Sequence, residues 1–225
     1  GHITQRTYNY ATGQVLTLTD PNNNTKTNTY DMFHRLIQVT DPHGGNVYHE
    51  YERDGVAPER DVVRRQEEYG SGGTLDSYTY YDGFGRTIQT KAEGESGQWI
   101  TVDLFYDLRG LTRAFSNPYF SATSDHTAPQ TAQPRTRAVY DALERVTNIT
   151  FPDGTSRSMD YDDWHTVHTD ARGNQVAALK DGRGNLVQVI EHKGTEKYLT
   201  QYEYDTLGNL VGITDAHGNA WALIY

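Results

Sequence analysis

The 225-residue chain has a net charge of -10, 35% apolar residues and a mean hydropathy of -0.78, which argues against a thick core and for thin layers. Phosphate backbones would repel such a chain and no Lys/Arg run offsets the charge, so nucleic acid is not an expected partner. The lack of cysteine excludes disulfides and thiolate metal sites and leaves the redox compartment open. No apolar stretch reaches membrane-spanning length and no signal peptide opens the chain; Gly1-His2 has the look of a tag-cleavage remnant on an excised fragment.

Short runs of Val, Ile, Thr and Tyr alternate with Gly, Asn, Asp and Pro clusters, and apolar residues rarely recur at helical spacing over a long window. The expected fold class is therefore all-β. The first unit opens at Asn9, carries Gly13, Val15, Leu18, Thr19 and Asp20, and ends at Tyr30. The second sets the pattern: Tyr30 and Tyr51 are 21 residues apart, as are Tyr140 and Tyr161, and Tyr204 and Tyr225. In these three copies the tyrosine is followed by Asp31, Asp141 or Asp205. A branched aliphatic stands six positions on (Leu36, Val146, Leu210), and another nine on (Val39, Ile149, Ile213). Threonine then comes at Thr40, Thr150 and Thr214, and glycine at Gly44, Gly154 and Gly218. Weaker copies fill the gaps: Tyr81-Asp82 with Gly85-Arg86, Tyr106-Asp107 with Gly110-Leu111, and Lys180-Asp181 with Gly184-Asn185. Tyr204-Asp205 adds Gly208. Residues 3–225 thus read as one repeat region with units at about 9–29, 30–50, 51–80, 81–105, 106–139, 140–160, 161–179, 180–203 and 204–225.

Each unit reads as a β-hairpin. In the second, Arg35–Thr40 and Asn46–Tyr51 are strand-length and β-branched or aromatic, while Asp41-Pro42-His43-Gly44-Gly45 is turn chemistry. A lone hairpin is unstable in water, so the hairpins must pair edge to edge into an antiparallel ribbon that twists and curves. On this reading the recurrent tyrosines stack across neighbouring units. Three stretches break the register. Residues 54–74 hold Pro58, a charged run Glu59–Glu68 and Gly70-Ser71-Gly72-Gly73, expected as a long loop or short helix. Residues 117–135, with Pro118, Pro129 and Pro134, are expected as a surface loop and the best internal boundary. Asp162 to Asp170 is two residues shorter than Asp31 to Asp41, implying a tighter strand or a bulge.

The recurring Tyr30-Asp31…Arg35-Leu36, Tyr81-Asp82-Gly83-Phe84-Gly85-Arg86 and Tyr204-Asp205-Thr206-Leu207-Gly208-Asn209-Leu210 resemble the YD repeats of RHS proteins. The stretch from Val139 through Thr155 is especially similar to bacterial members related to insecticidal toxin-complex subunits, and teneurins are the animal relatives. His34 and Glu144 stand where the family has glycine, suggesting degenerate turns. The resemblance implies a hollow β-shell that encloses a toxin polypeptide, of which this chain would be part of the wall. It implies a secreted or cell-surface bacterial protein, with the rest of the parent polypeptide and an enclosed toxin domain as partners. The family's self-cleaving core segment has no match here, so no catalytic residue is carried over.

Sites for chemistry are few. Asp160-Tyr161-Asp162-Asp163-Trp164-His165, with His168 and Asp170, mixes carboxylates and imidazoles. On one continuous strand, however, its histidines point apart. Asp170-Ala171-Arg172-Gly173-Asn174, Asp181-Gly182-Arg183-Gly184-Asn185 and Asp215-Ala216-His217-Gly218-Asn219 offer oxygens to calcium but lack the acidic alternation of an EF-hand; turn formation accounts for them. His49-Glu50 lacks the second histidine of a zinc-protease helix, and Gly182-Arg183-Gly184 lacks the third glycine of a dinucleotide fingerprint. No cofactor, metal or catalytic residue is expected. The rival reading is a carbohydrate- or receptor-binding module using exposed tyrosines, distinguished by whether those rings are covered or presented. Open end strands would favour edge-to-edge self-association.

Overall fold

The computed structural model describes residues 3–67 and 73–224. Gly1-His2, most of the Gly70-Ser71-Gly72-Gly73 run and Tyr225, which closes the last 21-residue interval, lie outside the described residues.

Ten strands come first: β1 (Gln5–Tyr8), β2 (Val15–Thr19), β3 (Thr25–Tyr30), β4 (Leu36–Thr40), β5 (Asn46–Glu52), β6 (Glu59–Gln66), β7 (Thr74–Tyr81), β8 (Thr87–Glu93), β9 (Trp99–Tyr106) and β10 (Thr112–Ser116). Ten follow: β11 (Tyr119–Ser121), β12 (Arg135–Tyr140), β13 (Val146–Thr150), β14 (Ser156–Asp162), β15 (His165–Thr169), β16 (Gln175–Lys180), β17 (Leu186–Lys193), β18 (Glu196–Tyr204), β19 (Leu210–Thr214) and β20 (Ala220–Ala222). A single 3-10 turn, Glu95–Gly97, is the only helical element among the described residues. The fold is all-β, as tandem antiparallel hairpins.

The chain forms two compact units, 1–105 with 116–133, and 106–115 with 134–225. In the first, β1 to β9 pair in chain order and β11 adds to β9 through Tyr119↔Thr101. In the second, β10 pairs with β12, and β12 to β20 continue in order. Consecutive pairing follows from the short turns, which leave each strand no other neighbour within reach.

Within each unit the two edges of the ladder are not alike. At the tyrosine-bearing edge the register slips at Tyr8, Tyr30, Tyr81, Tyr140, Lys180 and Tyr204, each next to a turn. Thr29 faces Gln38 while Tyr30 faces Leu36, so one residue is left over as a bulge. At the opposite edge Thr19↔Thr25 and Thr40↔Asn46 close the hairpins in register.

Residues 54–74 differ from the expected loop or helix, because the charged run builds β6, paired on both sides. Its charges hid the alternation: Arg60 pairs across the strands with Glu52, and Arg64 with Glu50 and Asp76, while Val62 is fully buried. Residues 117–135 contribute a strand, β11, before an irregular segment. The short Asp162–Asp170 stretch is a two-residue hairpin in which Asp162 faces His165 and Asp163 sits at φ 47°. Packing is thin. The apolar cluster is Val62, Tyr78 and Tyr80, edged by Ile88 and Trp99, with Tyr78 and Trp99 edge to face at 5.2 Å.

Candidate functional site

The aspartate of each repeat holds its turn. In Asp31 one carboxylate oxygen accepts the N–H groups of Phe33 and Arg35, both at 2.9 Å, and the other takes the Arg35 Nε at 2.7 Å. Asp82 and Asp141 do the same with Arg86 and Arg145. Asp20, Asp170, Asp181, Asp205 and Asp215 use an asparagine side chain in place of the arginine. Asp107 accepts the N–H groups of Arg109 and Leu111, and Asp41 those of His43 and Gly45. The fourth residue of the turn has positive φ: Gly44, Gly85, Gly110, Gly173, Gly184, Gly208 and Gly218. Gly154 closes the variant turn Phe151–Thr155 in the same conformation, with φ 85°. His34 and Glu144 both reach φ 64°, and their turns keep the same hydrogen bonds. These two turns are therefore not degenerate, as the missing glycine suggested; the aspartate's donors hold them at some cost in backbone strain.

All these carboxyls are held below the usual range. In Asp20, Asp170, Asp205 and Asp215 the largest influence is the side-chain N–H of the asparagine, and in Asp41 it is the Gly45 N–H. In Asp31, Asp82, Asp107, Asp141 and Asp181 partial burial pulls upward and is outweighed by backbone and side-chain donors. The three Asp-x-x-Gly-Asn loops considered for calcium thus direct both oxygens inward to N–H groups, and no group of three potential metal ligands occurs among the described residues.

The repeat tyrosines, expected from their spacing to stack, are used to complete the ladder; a stacked pair, Tyr78 and Tyr80 with centroids 6.4 Å apart, lies at positions outside the repeat set. The β4–β5 pairing stops at Gln38↔Tyr48, and the Tyr51 hydroxyl donates to the Leu36 carbonyl at 2.8 Å. The same offset recurs where β2–β3 stops at Thr17↔Thr27 and Tyr30 reaches Val15, at 2.9 Å. It recurs again for Tyr161 to Val146 beyond Asn148↔Ser158, and for Tyr204 to Leu186 beyond Gln188↔Gln201. Tyr140 donates likewise to Thr112. The rings take an arginine on one face: Arg35 lies 4.4 Å from the Tyr51 centroid, Arg53 4.2 Å from Tyr81 and Arg145 4.3 Å from Tyr161. Tyr30, Tyr51, Tyr81, Tyr106, Tyr140, Tyr161 and Tyr204 are all half-buried.

The Asp160–Asp170 cluster is split by its hairpin. Asp162 and His165 share one face; His168 lies opposite Met159 on the other. The histidines do point apart, through their odd spacing within β15; the turn at Asp163-Trp164 changes only the aspartate that joins them, setting Asp162 instead of Asp163 with His165.

One polar cluster escaped the sequence reading altogether. Gln89, Lys91, Thr101, Asp103 and Ser116 are 0–1% exposed, in the first unit, beneath the irregular segment after β11. Register explains their meeting: Gln89 faces Asp103 and Lys91 faces Thr101 across β8 and β9. Asp103 accepts from Gln89 Nε2 at 2.7 Å, the Tyr119 hydroxyl at 2.9 Å and the Gln130 N–H at 3.1 Å. Lys91 Nζ donates to Ser121 Oγ, the Thr123 carbonyl and Thr127 Oγ1 at 3.2, 2.8 and 3.5 Å. Tyr80 donates to the Ser124 carbonyl, and its ring lies 5.6 Å from His126. Burial lowers the Lys91 pKa against the pull of Asp103 and Asp125. It pushes the Tyr119 phenol up to about 12, with help from Asp103, and lowers His126, with help from Lys91.

Ser121 beside a buried lysine invites comparison with a nucleophile–base pair. Here, however, Lys91 spends three N–H bonds on three oxygens, which suits the ammonium form and not a base. Among the described residues no buried side-chain N or O lacks a partner. The cluster fastens residues 121–130 to the sheet. A strand-period reading of Gln89-Thr90-Lys91 and Thr101-Val102-Asp103 would have put the polar residues on one face, but nothing in the sequence shows that a segment covers them.

Residues 4–46 and 181–220 match the RHS Repeat family model. No curated protein sequence matches the chain. The crystal structure of TcdB2-TccC3-Cdc42 is similar with a TM-score of 0.73 at 14% identity, over 95% of this chain and 17% of that one. That of TcdB2-TccC3 gives 0.67 at 18% identity, over 95% and 14%. A Photorhabdus luminescens Tc holotoxin pore gives 0.68 at 15%, over 95% and 16%. The chain spans less than a fifth of these structures, and at such identities the likeness concerns the fold. Among the described residues no helix is long and apolar enough to cross a membrane. RHS repeats are matched at residues 4–46 and 181–220, and the hairpin ladder has the fold of these Tc-toxin structures.

Proposed function

We propose that this chain is a non-catalytic wall segment of a larger bacterial RHS-type protein, secreted or displayed at the cell surface, whose shell encloses or scaffolds a toxin polypeptide. The observation that carries the reading is how the signature residues are used. The aspartates close turns, the hydroxyls of Tyr30, Tyr51, Tyr140, Tyr161 and Tyr204 cap carbonyls beyond the ends of strand pairings and that of Tyr81 donates to Asp61, so the recurring chemistry of the repeat is consumed within the framework. The carbohydrate- or receptor-binding alternative needs presented aromatic faces. The repeat tyrosines are half-buried, and those of Tyr51, Tyr81 and Tyr161 are each covered by an arginine.

The test is limited proteolysis of the full parent polypeptide, intact and with Asp82→Ala plus Asp141→Ala in this segment. A wall predicts that a downstream polypeptide resists protease in the intact protein and becomes cleavable at lower denaturant concentration in the variant. Equal cleavage of both in native buffer would refute enclosure.

A further inference from the structure

The two edges of the hairpin ladder differ chemically at one position, two residues after the turn aspartate. At the threonine-side turns this position is polar throughout: Asn22, His43, Arg172 and His217, with Asp153 in the equivalent place. At the tyrosine-side turns it is Phe33, Phe84, Leu143 or Leu207, exposed by 68%, 86%, 72% and 86%. Where arginine takes this place it folds sideways instead: Arg109 donates to the Asp141 carbonyl at 2.7 Å and Arg183 to the Thr206 carbonyl at 2.8 Å. These bonds also show that successive tyrosine-side turns of the second unit stand side by side. Leu108, in the Asp107 turn, and Trp164, at its hairpin tip, join the row, the former fully exposed and the latter by 53%. Hydration does not require apolar tips on one edge only, and the polar tips opposite show that the turn itself tolerates polar residues at this position.

We infer that the tyrosine-side row of the second unit is an interface for a second copy of this chain, the tips of one row seating between the tips of the other. Two strands at about 4.8 Å each put successive tips roughly 10 Å apart, so the surface that fits them repeats at that interval, as another hairpin ladder does. A seat is present: a groove lined by Leu143, Arg145, Tyr161, Asp162, Asp163 and Trp164 opens between two adjacent tips. Row and groove on one surface make it self-complementary, as a two-fold pairing requires. Four side chains (Leu108, Leu143, Trp164, Leu207) would together bury on the order of 500 Å² per copy, given about 150–250 Å² for an aromatic and less for leucine. That falls in the small-interface class, so the expected dimer is weak and concentration-dependent. A lipid surface suits the row less well, because it offers no grooves repeating at the interval of the tips.

Sedimentation of the full chain from micromolar to millimolar concentration, with circular dichroism to verify folding, tests the inference. The wild type should dimerise. Leu143→Ser and Leu207→Ser, each at an exposed turn tip, should each weaken association about tenfold. Arg172→Ser and His217→Ser on the opposite edge should not. A strict monomer at millimolar concentration would overturn the interface. So would a dimer that survives the leucine changes but is lost on Thr7→Pro in β1, which would assign association to the open strand edge. Flotation with neutral vesicles that depends on Leu143 and Leu207, without dimerisation, would assign the row to lipid and likewise overturn it.

Discussion

Asp103→Asn is the sharpest probe of what holds residues 121–130 down. The change is nearly isosteric, so packing is preserved and only hydrogen-bond polarity alters. The wild-type carboxylate accepts three bonds and donates none: Gln89 Nε2 on one oxygen, the Tyr119 hydroxyl and the Gln130 N–H on the other. An asparagine keeps one accepting oxygen and turns an NH₂ toward one set of donors. If the NH₂ faces Gln89, that amide must flip, which sets its oxygen against the Thr127 carbonyl and its NH₂ against the Thr127 N–H, 3.1 and 3.0 Å away. If it faces the other way, both Tyr119 and Gln130 lose their acceptor. Either arrangement forfeits at least one bond to a charged group, worth about 1.5–3 kcal/mol, at a site with no solvent to compensate. Asp103→Ala removes all three, with an expected loss of about 3–5 kcal/mol. Urea unfolding gives the total, and hydrogen exchange by mass spectrometry shows where it falls, with protection of residues 123–130 lost first. A loss under about 0.5 kcal/mol for Asp103→Asn, with exchange in that segment unchanged, would refute the account of the network as a fastening.

Other expected outcomes concern the repeats. Tyr51→Phe and Tyr161→Phe should each cost about 1 kcal/mol in urea unfolding, the price of one carbonyl left without its hydroxyl donor; equal stability would mean that water replaces the hydroxyl freely. His34→Gly and Glu144→Gly should each stabilise by roughly 0.5–1 kcal/mol. Relief of about 1–2 kcal/mol of left-handed strain exceeds the entropy added to the unfolded chain, as thermal melts would register. Acid should act in two stages. His126 is depressed in the fold, so its contribution is present above the unfolded value near 6.5 and is lost as pH falls below it, loosening residues 123–130 in exchange experiments. The turn aspartates are also depressed, so theirs is complete above about 4 and is lost as pH falls through their lower folded values. Global unfolding preceding the local loosening would contradict this order.

How much could be read in advance depended on whether a residue's partner lies nearby in sequence. The turn aspartates bond to residues two and four positions on, so Asp31-x-x-x-Arg35 or Asp205-x-x-x-Asn209 displays its own reason in five letters. The tyrosines were visible as a period but not as a mechanism: Tyr51 reaches back 15 residues to a carbonyl, and a backbone acceptor leaves no trace in side-chain spacing. β6 was misread because a strand with both faces partly wet and both neighbours charged carries no apolar alternation. The Gln89–Asp103 network was illegible because its lid, 38 residues beyond Gln89 at Thr127, has no periodicity of its own.

A ladder with so little apolar burial cannot be stabilised as a globule is, since its apolar cluster among the described residues is a handful of side chains around Val62. Its low apolar content follows from that. What substitutes is repetition: most units add one or two aspartate-locked turns, and several add a phenol-capped ladder end, so stability accumulates with unit number and not with core volume. Such a design tolerates polar residues on both faces, and a wall needs that if one side meets water and the other a polypeptide. It leaves the tyrosine-side turn tips as surfaces on which apolar side chains such as Leu108, Leu143 and Leu207 stay exposed. The tyrosine-side tips are where further assembly of such ladders has the most to gain.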